Sequence, residues 1–154
     1  AETEDGDAIE ANVDVRDSLF FGNTAGERGG SIYSTVSEME LEDCNSTANS
    51  ATLGGSLYMS SSTYMMTDCR FWGDYNAVST GATIFSVESD ITAKGVTFSD
   101  THNGSTMFAI FAGWDSTLEA QNCSFVGWIG SNVVLADSTG SLRLDACDFS
   151  DSPA

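Results

Sequence analysis

A repeat of about 25 residues constrains this chain more than any other feature. The four cysteines stand at Cys44, Cys69, Cys123 and Cys147, with gaps of 25, 54 and 24 residues. The long gap is two steps of 27, and its midpoint is Val96. One step before Cys44 lies Ser18, in Asp17-Ser18-Leu19-Phe20-Phe21-Gly22, which matches Asp68-Cys69-Arg70-Phe71-Trp72-Gly73 in spacing and residue type. Other columns fall into step. Two residues after the cysteine position come Phe20, Ser46, Phe71, Phe98, Phe125 and Phe149, and one before it come Asp17, Asp43, Asp68, Gly95, Asn122 and Ala146. A second landmark, Gly29-Gly30-Ser31-Ile32-Tyr33, returns as Gly54-Gly55-Ser56-Leu57-Tyr58 and then as Gly81-Ala82-Thr83-Ile84-Phe85. A fixed period of this length marks a stack of small units that cannot bury their apolar faces singly.

Each unit holds three short segments with period-two alternation, such as Leu118-Glu119-Ala120 and Leu142-Arg143-Leu144, and these read as strands. Ser, Thr and Asp stretches between them (Ser34 to Glu38, Ser60 to Thr63, Ser86 to Asp90) read as turns. Three strands and three turns per repeat make one rung of a parallel β-helix. Rungs lie ~4.8 Å apart, so equivalent residues form ladders. The repeat domain is expected over residues 13–154. Residues 1–12 are expected as a leader or N-terminal cap, with a short helix around Asp7 to Val15.

Charge narrows the partners. With 23 acidic and 5 basic residues the formal net charge is −18. Nucleic acid and anionic membrane surfaces both demand Lys and Arg, so nucleic acid is not expected as a partner and an anionic membrane surface is disfavoured. Calcium, basic proteins and neutral glycans remain. No uncharged apolar run approaches the ~20 residues that a membrane helix needs. The first residues, Ala1-Glu2-Thr3, lack a Met and an apolar leader, which agrees with a cleaved signal and a secreted or cell-surface protein. An organellar lumen is the alternative.

Phe20-Phe21-Gly22-Asn23 followed by Gly29-Gly30-Ser31-Ile32 resembles the paired FxxN and GGA[I/L/V] motifs of polymorphic outer-membrane protein repeats. These occur in chlamydial-type autotransporter passengers, within the pectin-lyase-like superfamily. The second repeat keeps Asn49 and Gly54-Gly55-Ser56-Leu57 with Ser46 for Phe; the third keeps Phe71, with Asp74 for Asn. The resemblance implies an all-β fold, a right-handed parallel β-helix (solenoid) of about five to six rungs of 24–27 residues. It also implies a passenger-like region used in adhesion or display.

The candidate sites follow from the columns. Cys44, Cys69, Val96, Cys123 and Cys147, with Phe20, Phe71, Phe98, Phe125 and Phe149, are expected as a core ladder. The cysteines are either buried thiols or two bridges. Since cysteines two rungs apart cannot reach, the bridges would be Cys44–Cys69 and Cys123–Cys147. Zinc is disfavoured by the lack of a CxxC pair. Asp43 and Asp68 are adjacent in their ladder and are either weak calcium candidates or turn residues. No other metal and no cofactor is expected. Tyr33, Tyr58, Phe85 and Phe111 form a column of outward phase, a candidate interaction ladder for sugar rings or a protein partner. Trp72, Trp114 and Trp128 sit near expected loops and join the same candidate set. Asn45 and Asn103 head accessible glycosylation sequons, and His102 reads as a surface residue.

The function expected is a non-catalytic structural or interaction module of a secreted or surface protein, presenting a β-helix face to a protein or glycan. Two alternatives stand beside it: a small acidic accessory subunit docked into a larger assembly, and a polysaccharide-acting β-helix enzyme. The last would need two or three carboxylates converging beside a groove.

Overall fold

The computed structural model describes residues 11–76, 82–99, 108–127, 134–136 and 139–150. These residues contain strands and turns and no helix, so none is long and apolar enough to cross a membrane. The strands form three parallel sheets. The first holds β1 (Ala11–Arg16), β4 (Ser37–Glu42), β8 (Thr63–Thr67), β12 (Asp90–Lys94), β15 (Thr117–Gln121) and β18 (Ser141–Asp145), in that spatial order. The second holds β2 (Leu19–Phe21), β5 (Asn45–Thr47), β9 (Arg70–Trp72), β13 (Thr97–Ser99), β16 (Ser124–Val126) and β19 (Asp148–Ser150). The third holds β3 (Ile32–Thr35), β7 (Leu57–Ser60), β11 (Ala82–Val87), β14 (Phe108–Gly113) and β17 (Val134–Ala136). A two-stranded patch pairs β6 (Ser50–Ala51) with β10 (Tyr75–Asn76). The chain visits the three sheets in rotation, and the whole is a parallel β-solenoid.

The repeat period becomes the strand register. Ile32 lies opposite Leu57, Leu57 opposite Ile84, and Ile84 opposite Ile110. Phe71, Phe98, Phe125 and Phe149 are likewise in register, and their rings stack at 5.2, 5.1 and 4.9 Å between centroids. Cys44, Cys69, Val96 and Cys123 are buried beside them, and Cys147 is partly buried. Phe20 packs against the core only in part, because its register partner is Ser46, which interrupts the stack. Phe149 is 49% exposed, with no further strand beside it among the described residues.

Corners are set by left-handed residues. The column Asp17, Asp43, Asp68, Gly95, Asn122 and Ala146 has φ between 49° and 64° throughout. Asp, Asn and Gly tolerate this region better than other residues, which explains their recurrence at one position per repeat. Gly29 and Gly54 also have positive φ. A Cβ on the adjoining Gly30 would strike the carbonyl of Gly55, so the Gly-Gly pair permits close stacking of neighbouring turns.

The expected helix over Asp7 to Val15 is corrected in its second half. Ala11 to Val15 belong to β1, where Val13 and Val15 pair with Met39 and Leu41. A strand thus occupies positions read as leader, because the two valines alternate toward the core at period two.

Candidate interaction face

The aromatic column of the third sheet forms a continuous stack. Centroid separations are 5.5 Å for Tyr33–Tyr58, 5.6 Å for Tyr58–Phe85 and 4.5 Å for Phe85–Phe111, all near-parallel. Exposure of the whole column does not follow. Tyr33 is 51% exposed, but Tyr58 is 6% exposed, Phe85 is buried and Phe111 is half-buried. The guanidinium of Arg28 lies over the Tyr58 ring, 5.0 Å from its centroid, a cation–π cover that removes that ring from water. As an accessible surface the ladder shrinks to Tyr33.

The three most exposed large apolar side chains among the described residues lie instead on the second sheet. With Phe20 and Phe71 turned inward, the flanking residues of β2 and β9 face out. Phe21 is 68% exposed and Trp72 is 58% exposed, and Leu19 is exposed beside them. Phe21 is in register with Thr47, and Thr47 with Trp72, so the two rings share one column. The next column runs Leu19, Asn45, Arg70 and Thr97. Leu19, Asn45, Ser46, Thr47, Arg70, Trp72, Thr97 and Ser99 line a shallow concavity of about 550 Å³ with no carboxylate in its lining, and Phe21 stands outside that lining, in register with Thr47. Trp72 therefore sits at the end of β9, just before the bend at Gly73, with its strand inside the sheet. The pattern was present in the sequence, since the phase of the cysteine and phenylalanine columns dictates which neighbours point outward.

The other candidates are placed as follows. Asn45 is exposed in β5, on this same outer face. Asp43 and Asp68 occupy the left-handed corner; no group of three or more His, Cys, Asp or Glu side chains among the described residues is arranged to hold a metal. All four cysteines are thiols in this structure, so the bridges Cys44–Cys69 and Cys123–Cys147 are not formed in it. Each thiol instead points at main-chain carbonyls, as Cys69 does toward Leu41 and Thr67 at 3.4 and 3.3 Å. Burial pushes the Cys69 thiol up to about 11, and Cys123 is raised for the same reason. Trp114 is exposed at a turn. Asn103, His102 and Trp128 lie outside the described residues.

The outer face of the first sheet differs in kind. Arg16 is bonded to Asp14 at 2.9 Å and reaches Glu42 at 3.0 Å and Glu40 at 3.8 Å, all well exposed. Such exposed pairs contribute little to stability, and the strip remains acidic.

One buried polar cluster carries a titratable group. Asn49 is fully buried, and its backbone N–H and Nδ2 both donate to Oδ1 of Asp74 at 2.9 Å. Ser46 donates to Oδ2 of Asp74 at 3.2 Å. Asn49 Oδ1 in turn accepts from the backbone and side-chain amides of Asn23. Desolvation lifts the Asp74 carboxyl to about 6, against the opposing pull of these donors. This is an internal ladder that fastens three successive turns rather than an open site.

With the geometry in hand, the chain was compared with known proteins. No protein-family model, curated protein or solved structure matches it.

Proposed function

We propose that the chain is a non-catalytic interaction module of a secreted or surface protein, and that its recognition surface is the outer face of the second sheet. The carrying observation is that Leu19 and Phe21 on β2 and Trp72 two strands away on β9 are all exposed on one face of a parallel sheet, at a concavity that Leu19 and Trp72 line. Apolar side chains scattered singly over a surface need no explanation, but a contiguous set rimmed by polar groups marks a binding region. The parallel register supports a right-handed solenoid, since parallel neighbours joined by a crossover are right-handed in ≈ 98% of cases. Resemblance to polymorphic outer-membrane protein repeats, in Phe20 to Asn23 and Gly29 to Ile32, supports a display role of this type. An oxidising compartment would favour closure of Cys44–Cys69 and Cys123–Cys147.

The test is direct. The whole chain, immobilised, is screened against a panel of extracellular proteins and neutral glycans. The triple variant Leu19→Ser, Phe21→Ser, Trp72→Ser serves as control. Binding by the natural chain that the variant loses is the expected result. Binding that the variant retains in full, or none across the panel, contradicts the proposal.

A further inference from the structure

We infer that the concavity on the outer face of the second sheet holds an extended neutral oligosaccharide of β-1,4-linked type, its long axis running along the stack of turns. The inference rests on the reading above and names the ligand class of that same face.

Size is the first argument. About 550 Å³ falls within the ~300–1,000 Å³ of sites that take small molecules. The cavity spans neighbouring parallel strands and is therefore elongated along the stack. Ring spacing is the second. Phe21 and Trp72 are separated in register by Thr47 alone, which places them two strand spacings apart, roughly 10 Å. Successive rings of a β-1,4-linked chain turn over, so alternate rings present the same C–H face at a similar interval. Trp72, in the lining of the concavity, can stack beneath one of them, and Phe21, outside that lining but one register step beyond Thr47, beneath the next that presents this face. Thr47, between them, is short enough to leave the intervening ring room.

Polar complement is the third argument. Asn45, Arg70 and Thr97 form the adjoining column. An amide and a hydroxyl both donate and accept, and a guanidinium donates in a fork. That set matches the equatorial hydroxyl edge of a sugar ring. Charge is the fourth. No carboxylate lines the concavity, yet the whole chain carries −18, a field that repels polyanions and leaves a neutral chain unaffected.

Calorimetric titration of the whole chain with cellohexaose and chitohexaose tests this, with hexagalacturonate as the anionic control. At least one neutral hexamer should bind saturably. Trp72→Ala should weaken that binding about tenfold or more, Phe21→Ala should weaken it less, and Trp72→Tyr should retain most of it. These side chains are exposed, so circular dichroism should be unchanged in every variant. Failure of both neutral hexamers to bind, full binding by Trp72→Ala, or preference for hexagalacturonate would overturn the assignment. If the hexamers fail while a protein still binds through Leu19, Phe21 and Trp72, the sugar assignment falls and the interaction reading stands. If neither binds, both fall.

Discussion

Asn49 delivers its backbone N–H and its side-chain amide to the same carboxylate oxygen of Asp74, each at 2.9 Å. Asn23 and Asn49 hold the equivalent position in the two preceding repeats, so Asp74 is an acid in an amide ladder. Its proton is bound more tightly in the folded chain, at about 6, than at the ordinary value of 3.8. Stability from this group is therefore greatest in acid, and it falls as pH rises from about 4 to about 6, where the folded state must accept a buried charge. The cost at neutral pH is up to about 3 kcal/mol. Asp74→Asn keeps the shape and the acceptor oxygen. It should be more stable than the natural chain at pH 7 by about 1–3 kcal/mol, with the difference vanishing near pH 4. Urea unfolding across that range checks this; a variant less stable at pH 7 contradicts it.

Serine hydroxyls stitch a second corner. The backbone N–H groups of Ser37, Ser62 and Ser89 each donate to the hydroxyl oxygen of the serine of the following turn, Ser62, Ser89 and Ser116, at 3.1 to 3.3 Å. All four serines are buried. Ser89→Ala strands the Ser62 N–H and should cost about 1–3 kcal/mol. Ser124→Ala, half-exposed in β16, should change stability by less than about 0.5 kcal/mol. Equal effects in chemical denaturation would refute the ladder.

Along the third sheet, cost should track burial. Tyr58→Ala removes a covered ring stacked on both sides and should destabilise by about 3–5 kcal/mol. Tyr33→Ala removes an exposed terminal ring and should cost about 1 kcal/mol. Arg28→Ala should expose Tyr58 and raise its susceptibility to tyrosine-selective iodination, which mass mapping reads directly.

The thiols make a chemical prediction. Cys69 and Cys123, buried and raised in pKa, should resist alkylation of the folded chain at pH 8, while all four cysteines react in denaturant. Cys147, only partly buried, should react first. Cys69→Val should be tolerated, because Val96 already fills the equivalent site. An intact mass four protons lower, with no free thiol in denaturant, would contradict the thiol state.

Much of the fold was legible because a parallel solenoid converts sequence period directly into spatial neighbours. The columns of Cys, Phe and Ile are the register itself. What escaped the sequence has definite causes. Ala11 to Val15 sit in an acidic stretch, and only their pairing with Met39 and Leu41 makes the strand apparent. Tyr58 is covered by Arg28, 30 residues earlier, crossing over its ring as well as by the stacked rings of Tyr33 and Phe85, and no local pattern announces the arginine. The buried serines share the repeat period but look like ordinary turn residues. The outer face was readable in principle: once Phe20 and Phe71 point inward, Leu19, Phe21 and Trp72 must point out.

The central claim is that this outer face binds a partner, and native mass tests it most directly. The natural chain and the Leu19→Ser, Phe21→Ser, Trp72→Ser variant, each expressed in the protein's own source, would be isolated and weighed by light scattering with calcium and with chelator. The natural chain should run in a complex heavier than its own 16.3 kDa and remain so in chelator, since Asp43 and Asp68 serve the corner. The variant should run alone. Two complexes of the same mass, or two lone monomers together with failure of the neutral hexamers to bind, would contradict the account.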